Sequence, residues 1–276
     1  MRKLLTVLLA AAICNYSTAQ QLTTPQPSPT QTVKQNFSTG SIELSYSRPG
    51  KKGRAIFGDL VPYGKVWRTG ANGATTLTFT DDVTIGGKEV KAGKYGLLTI
   101  PNADKWTIII TKDVDVTSPS DYKLENDVAR VEAPIMKLPF TVETFTITFA
   151  DLSGSSTNLH LYWDNTLVML PISTNTEARV LKQIDDVMNK DSKPYFSAAM
   201  YYYDNGKDLK QALTWVNKAV ESNKEAFWIY MLKARIHAKL GEKDAAKTAA
   251  TTVVDLATKA KNDDYVKMAN DLLKTL

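Results

Sequence analysis

The stretch "TFTITF", residues 144–149, alternates threonine with Phe145, Ile147 and Phe149. Successive side chains of a β-strand point to opposite faces, so this spacing predicts a strand with one apolar and one polar face. The stretches "IELSY" at residues 42–46 and "WTIII" at residues 106–110 place apolar side chains at the same spacing. Half-buried strands of this kind are typical of antiparallel sheets.

Turn signals separate these stretches. "IGGK" at residues 85–88, "PNAD" at residues 101–104 and "WDNT" at residues 163–166 carry the Gly, Pro, Asn and Asp residues that favour tight turns. About eight short strands without helical interruption are typical of a sandwich or barrel. The sequence therefore predicts an antiparallel β-sandwich or jelly-roll-like domain over residues 36–173.

The apolar period changes near Thr174. Thr174 to Glu177 has the pattern of a capping box, which marks the start of a helix. One apolar stripe at helical spacing follows on Val180, Leu181, Ile184, Val187 and Met188. Residues 174–276 are therefore predicted to form a second, all-α domain.

This C-terminal region contains an internal repeat. "YYYDNGKDLKQALTWVNKAVE" and "HAKLGEKDAAKTAATTVVDLA" each place a glycine, Gly206 or Gly241, ahead of small residues at helical spacing. The period of roughly 34 to 35 residues resembles that of tetratricopeptide helical hairpins, which bury a core by stacking on their neighbours. An unrelated helical bundle is the alternative.

The first residues carry a targeting pattern. Arg2 and Lys3 precede an apolar run from Leu4 to Ile13, and small residues end the segment at Ala19. This pattern predicts a signal peptide over residues 1–19, with cleavage near Ala19 and a periplasmic or secreted mature protein. The alternatives are a membrane anchor and a lipoprotein acylated at Cys14. No later run is long enough to span a bilayer, so no transmembrane segment is expected.

Residues 20–35, "QQLTTPQPSPTQTVKQ", are rich in Pro, Thr and Gln. Such a composition buries little apolar surface, which predicts a disordered linker ahead of the first domain.

Composition excludes several kinds of chemistry. Cys14 is the single cysteine, so the mature chain is expected to have no disulfide, no thiol nucleophile and no cysteine-ligated metal. The formal net charge of +5 falls to about +3 without Arg2 and Lys3, which is too mild for a typical nucleic-acid partner.

Catalytic motifs are absent from the sequence as well. It has no nucleophile elbow, no phosphate-binding loop and no zinc-protease motif, and His160 and His237 are its two histidines. No catalytic residue, no metal site and no cofactor is therefore predicted. The remaining enzymatic alternative is a hydrolase of carbohydrate or envelope components that uses Asp59 or Glu43, since glycosidases need two carboxylates across a sugar.

The stretch "SRPGKKGRAIFGDLVPYGKVWRTGAN", residues 47–72, is the candidate functional region. Gly and Pro interrupt it every few residues, yet its apolar content indicates a loop packed onto the domain, and such loops are often functional. Its cations and aromatic residues suit an anionic or polar ligand. The hypothetical ligand-binding set is Arg48, Arg54, Tyr63, Trp67, Arg68 and Asn72. The alternative is structural, with Trp67 in the core and Arg68 satisfying the carbonyl groups of its own loop.

Several of these blocks resemble one family. "IFGDLVPYGKVWRTGAN", "IGGKEVKAGKYGLLTIP", "KWTIIIT" and "LHLYWDNTLVMLPI" are similar to the signature of an uncharacterised family of secreted bacterial proteins, domain of unknown function 2911, over roughly residues 35–173. Members of the family often carry a tetratricopeptide-like tail. The family pattern often has Glu after Asn72, where this chain has Gly73. The resemblance implies a domain boundary and an exported location, and it implies no established activity.

These observations favour an exported, non-catalytic binding or interaction protein. Its β-domain is expected to bind a small polar or anionic ligand, and its helical hairpins are expected to contact a protein partner. A protein that acts through its repeats alone is a further alternative.

Overall fold

The computed structural model describes residues 24–190 and 193–276. The predicted signal peptide and the first residues of the predicted linker lie outside this part of the chain. The chain divides into two compact units between Asn175 and Thr176. A β-rich unit is therefore followed by a helical unit, as the sequence predicts.

In the described residues, nine strands form one antiparallel sheet in the order β1-β2-β3-β6-β7-β8-β9-β4-β5. The strands are β1 (Thr30–Phe37), β2 (Gly40–Ser47), β3 (Thr75–Phe79), β4 (Val83–Ile85), β5 (Lys88–Val90), β6 (Gly93–Ile100), β7 (Lys105–Thr111), β8 (Asp127–Ala150) and β9 (Ser156–Ser173). Two short 3₁₀ turns, Pro119–Asp121 and Leu124–Asn126, lie between β7 and β8.

The long strand β8 divides the sheet into two halves. Its first part pairs with β7 from Asp127 to Pro134, and its second part pairs with β9 from Ile135 to Ala150. Apolar side chains from both halves belong to one buried cluster, which includes Leu44, Leu77, Ile108, Phe145 and Leu161. The two halves therefore face each other across a common core, which confirms the predicted sandwich class.

Alternation explains which side chains reach this core. In β2, Ile42, Leu44 and Tyr46 are buried and Glu43 is exposed, because neighbouring side chains point to opposite faces. In β9, Leu159 and Trp163 are buried in the same way. The outer face of β7 is covered as well, since Ile109 packs with Val116 from the segment between β7 and β8.

Strand β1 corrects the predicted linker. Thr30 to Phe37 pair with β2 along their whole length, so an ordered strand occupies part of the stretch that the sequence assigned to disorder. This strand lies at the edge of the sheet, and Phe37 is its one buried residue. Backbone hydrogen bonds to β2 hold this strand, and backbone hydrogen bonding does not depend on apolar side chains, so the polar composition did not indicate a strand.

The predicted turn at residues 163–166 is also wrong. β9 runs without a break through Trp163 and Asp164, with Asp164 at φ 53°. The irregularity lies in the opposite strand, where the register shifts between Lys137 and Val142. Extra residues in β8, rather than a turn in β9, therefore interrupt the pairing, and a second register shift lies between Val142 and Thr146.

The second unit consists of helices. They are α1 (Thr176–Met188), α2 (Tyr195–Asp204), α3 (Leu209–Ser222), α4 (Phe227–Lys239), α5 (Lys243–Lys259) and α6 (Asp263–Leu273). One buried cluster joins α2, α3 and α4, and others join α4, α5 and α6. Gly206 and Gly241 follow α2 and α4 at φ 63° and 80°, a left-handed conformation that commonly ends a helix. No helix in the described residues combines the length and apolar character needed to cross a membrane.

Candidate functional site

The loop between β2 and β3, residues 48–74, is packed onto the end of the sandwich. Its side chains Ile56 and Val61 are buried, and the amide of Val61 donates to the carbonyl of Ile56 at 2.9 Å. The backbone of Trp67 exchanges two hydrogen bonds with Thr99 of β6, at 2.7 and 2.9 Å. This loop is therefore fixed to the domain, as its apolar residues predict.

Trp67 lies in a cluster of aromatic rings. Its ring stacks on that of Trp163 with centroids 5.8 Å apart and planes at 17°, and it makes an edge contact with Trp106 at 6.1 Å. The indole Nε1 donates to the carbonyl of Gly70 at 3.0 Å. Trp67 is thus fixed on several sides, and it remains half-buried rather than fully enclosed.

The exposed part of Trp67 belongs to a cleft of about 500 Å³, which lies within the usual range for small-molecule sites. Trp163 also contributes to its surface. The walls are mainly apolar and cationic. The lining residues are Ser28, Pro49, Arg54, Leu60, Val61, Pro62, Lys65, Val66, Trp67, Arg68, Gly70, Ala71, Pro119 and Trp163.

The charge of this lining has one sign. Arg54, Lys65 and Arg68 contribute to it, and none of the lining residues is an Asp or a Glu. Among the described residues, no carboxylate lies within ion-pair distance of these three cations. The cleft therefore carries an uncompensated positive charge.

Arg54, Trp67 and Arg68 are the members of the predicted ligand-binding set that line the cleft. Arg54 also holds its own loop, because its Nε donates to the carbonyl of Lys51 at 3.0 Å and its Nη2 to that of Gly50 at 2.6 Å. Arg68 donates from Nη1 to the carbonyl of Thr117 at 2.6 Å. That carbonyl belongs to another segment, so Arg68 does not serve its own loop as the structural alternative supposed.

The other three predicted residues lie outside the cleft lining. Arg48 donates to the Phe145 carbonyl and the Thr146 hydroxyl, which ties the end of β2 to β8. Asn72 donates to the Ser28 carbonyl at 3.2 Å and to the Ser47 hydroxyl at 3.3 Å. Tyr63 packs over Gly58 and is 43% exposed. Polar and aromatic residue types in one loop suggested a common role, but each has a different neighbour in the fold.

Sequence reasoning did not assign Trp163, Lys65 or Pro119 to the site. Trp163 comes from β9, where it shares the buried face with Leu161, and nothing in its sequence context indicates that it lines a cleft. Lys65 belonged to the local excess of basic residues, which was the available signal. The sequence does not connect Pro119 with the site, because Pro119 is distant from residues 48–74 along the chain and the fold brings it to the same cleft.

The segment that carries Pro119 is fixed by Asp121. One carboxylate oxygen, Oδ2, accepts from the Ser118 amide at 2.9 Å and from the Thr117 amide at 3.3 Å. The hydrogen bond from the Ser118 amide is the main cause that lowers the pKa of the Asp121 carboxyl below its ordinary value. Val116 is buried beneath the segment and packs with Leu98 and Ile109.

The carboxylates of the hydrolase alternative do not meet at the cleft. Glu43 and Asp59 are both exposed, and neither lines it. His160 bonds to the Tyr162 hydroxyl at 2.8 Å, and His237 bonds to Glu242 at 2.6 Å in the helical unit. Within the described ranges, no group of three or more His, Cys, Asp or Glu side chains is arranged to hold a metal ion.

Fold and site together define a class of protein with two parts. An antiparallel β-domain with a cationic, tryptophan-lined cleft is followed by a helical unit. The chain belongs to the family described as protein of unknown function (DUF2911), whose sequence profile matches residues 28–172, just over half of its length. This match confirms the predicted family and includes strand β1. Comparison with curated proteins and with solved structures found no match.

Proposed function

We propose that the β-domain is a binding module for a small anionic ligand, which it holds in the cleft beside Trp67. The observation that carries this proposal is the lining of Arg54, Lys65 and Arg68 without a carboxylate. Cations on low-dielectric walls raise the local concentration of anions. The apolar and aromatic walls supply area for the remainder of the ligand.

Lys65 provides a direct test of this proposal. It is exposed and lines the cleft, and no hydrogen bond or ion pair holds its ammonium group in the described part of the chain. Lys65→Ala should therefore weaken binding of an anion without lowering the stability of the free protein. Lys94→Ala is the matched control, because Lys94 is exposed on β6 and does not line the cleft.

The measurement is a thermal-shift screen of inorganic phosphate, small carboxylates, sugars and peptidoglycan fragments on wild type, Lys65→Ala and Lys94→Ala. An anion should raise the melting temperature of wild type and of Lys94→Ala by more than that of Lys65→Ala. Raised ionic strength should reduce the shift, since exposed charges are screened. The absence of any shift in wild type would count decisively against the proposal.

We propose that the helical unit is tetratricopeptide-like and contacts a protein partner. Two observations support this reading. Gly206 and Gly241 occupy equivalent turns, and the buried residues Ala212 and Val216 of α3 recur as Ala246 and Ala250 of α5. Trp228 of α4 is 40% exposed, so its replacement should not disturb the fold.

A capture experiment tests this role. Residues 174–276 would be immobilised and compared with the same fragment carrying Trp228→Ala. We expect a defined partner to bind the first fragment more strongly than the second. If neither fragment retains a protein from the native host, a role in protein contact is wrong.

We propose, finally, that the protein is exported. The support is the basic, apolar and small-residue pattern of residues 1–19. N-terminal sequencing of the protein from its native envelope or culture fluid should begin at Gln20. An intact Met1 in the cytoplasm would refute export.

A further inference from the structure

We propose that Arg68 is the residue that binds the anion, through its Nε and Nη2 atoms, and that the ligand is an oxyanion attached to an apolar or aromatic body. This inference rests on the proposed function of the cleft, because it specifies the chemistry of the same site. A carboxylate and a phosphate monoester share the required chemistry, since both present two oxygens to one edge of a guanidinium group.

The guanidinium group of Arg68 is held from one side. The Nη1 atom donates to the Thr117 carbonyl at 2.6 Å. The backbone of Arg68 is held as well, because its carbonyl accepts from the Thr75 amide at 3.1 Å. Its Nε is buried without a hydrogen-bond partner, and Nη2 has no partner among the described residues. Nε and Nη2 form one edge of the fork, so a complete bidentate donor remains unused.

Arg54 differs in this respect. Its Nε and Nη2 donate to the Lys51 and Gly50 carbonyls, which occupy the same edge of its guanidinium group. Lys65 has no fork at all. These two residues therefore supply charge at the cleft, whereas Arg68 alone among the lining cations supplies a free pair of parallel donors.

A small chamber adjoins the cleft at Arg68. It has a volume of about 50 Å³ and is bounded by Val66, Trp67, Arg68 and residues 116–119. Val66, Trp67, Arg68 and Pro119 also line the main cleft, so the two spaces share a wall. The chamber exceeds the space that one water needs, so it can admit an oxygen atom of the ligand beside Arg68.

Access to Nε requires a local movement. This atom is covered in the structure, so the oxyanion must displace neighbouring atoms or the guanidinium group must turn. Residues 117–119 bound the same chamber as Arg68, so they are the neighbours that we expect to move. An unsatisfied buried donor is unfavourable, and a charged acceptor would remove that cost. Residues 117–119 are largely exposed, whereas Val116 is buried and anchors the segment.

The remaining lining offers few acceptors for the hydroxyl groups of a polyhydroxylated ligand. Sugar hydroxyls need hydrogen-bonding partners, yet among the described residues no Asn, Gln, Asp or Glu side chain lines the cleft, and Ser28 supplies the one hydroxyl. Valine, proline and tryptophan surfaces suit an apolar or aromatic body instead. The ligand class is therefore an aromatic or aliphatic carboxylate or phosphate monoester rather than a sugar acid.

The experiment uses full-length protein after removal of residues 1–19 and four probes. These are 1-naphthylacetate, 1-naphthyl phosphate, the neutral 1-naphthylacetamide and glucuronate, a carboxylate on a sugar body. Binding is followed by the ¹H–¹⁵N resonances of the arginine Nε–H groups, assigned by bond correlations from the backbone. The variants are Arg68→Lys, which keeps the charge and removes the fork, and Arg54→Lys as its matched control.

We expect at least one naphthyl anion to bind and to shift the Arg68 Nε–H resonance more than that of Arg54. The amide and glucuronate should bind at least about tenfold more weakly, which corresponds to about 1.4 kcal/mol. Arg68→Lys should weaken binding by about tenfold, and Arg54→Lys by less than about threefold. Comparison of the two anions identifies the carboxylate or the phosphate as the preferred head group.

Each failure has a distinct meaning. If a naphthyl anion binds and the Arg68 Nε–H resonance does not move, the fork is wrong and the cleft remains a binding site. Equal binding of glucuronate or of the amide would refute the ligand class. If wild type binds none of the anions and inorganic phosphate gives no thermal shift, the proposed function itself fails. The resonance test in wild type stands even if Arg68→Lys does not fold.

Discussion

Tyr46 connects the two halves of the β-domain through its phenol. The hydroxyl accepts from the Ile147 amide at 2.9 Å and lies 3.2 Å from the Ile147 carbonyl, so β2 and β8 are joined across the core. The side chain is 2% exposed, and burial raises the pKa of the phenol. Tyr46 therefore acts as a neutral hydrogen-bonding group inside the sandwich.

Tyr46→Phe should lower the free energy of unfolding of the β-domain by about 1–3 kcal/mol, because it leaves buried backbone groups of Ile147 without this partner. Tyr95→Phe is the control. Its hydroxyl donates to the Lys91 carbonyl in an exposed turn, where water can replace it, and the loss should be below about 1 kcal/mol. Urea unfolding with an unchanged m-value measures both effects. Equal losses in the two variants would contradict this role of Tyr46.

Tyr122 should make the stability of the β-domain depend on pH at alkaline values. Burial and its hydrogen bond to Asp127, at 2.7 Å, raise the pKa of the Tyr122 phenol from 10.0 to about 12. A raised pKa in the folded protein favours the protonated phenol. Its contribution to stability is therefore complete below pH 10 and is lost as the pH rises through about 12.

The difference in unfolding free energy between wild type and Tyr122→Phe should thus be constant from about pH 7 to about pH 9.5 and should shrink above pH 10. Urea titrations at several pH values measure this difference. The contributions of the other tyrosines to the pH dependence are the same in both proteins and cancel in it. A gap that widens with alkaline pH would show that the pKa shift has the opposite sign.

At the scale of elements, the β4–β5 hairpin shows how a turn is fixed by a neighbouring strand. Gly86 and Gly87 have φ values of 56° and 78°, as a type I′ turn requires. A Cβ at Gly86 would lie 2.3 Å from Cγ2 of Val131 in β8, whereas a Cβ at Gly87 would meet nothing within 4 Å. Gly86 is therefore constrained by conformation and by space, and Gly87 by conformation alone.

Gly87→Ala should lower stability by about 1–2 kcal/mol, the cost of a left-handed residue. Gly86→Ala should cost a further 1–3 kcal/mol or so, because Val131 must move. Combining Gly86→Ala with Val131→Ala should recover part of that additional loss, as chemical denaturation can show. Identical losses in the two single variants would mean that the contact with Val131 carries no cost.

At the scale of the whole molecule, each unit contains its own buried clusters. The large cluster of the β-domain extends from Phe37 to Ile172, and the helical clusters draw on residues from α2 to α6. Units with separate hydrophobic cores are expected to fold independently.

Residues 24–175 and residues 176–276, produced separately, should each unfold in one cooperative transition. The sum of their far-ultraviolet circular dichroism spectra should reproduce that of residues 24–276. A fragment that binds a dye for exposed apolar surface and lacks near-ultraviolet dichroism would show that its core is incomplete.

The sequence alone determined the features that depend on local periodicity. Alternation placed Leu44, Ile108 and Phe145 on buried faces, and the repeated glycines Gly206 and Gly241 marked the helical turns. These features are readable because side-chain direction along a strand or helix is set by the backbone itself. Family membership followed from the same local blocks.

The tertiary structure decided what depends on pairing between distant segments. It made an edge strand of the polar stretch Thr30–Phe37, because β2 supplies the hydrogen bonds that this stretch needs. It stacked Trp163 on Trp67, and it gave Arg54 two carbonyl partners on the edge that Arg68 keeps free. A residue type fixes which bonds a side chain can make, and the fold fixes which of them are already made.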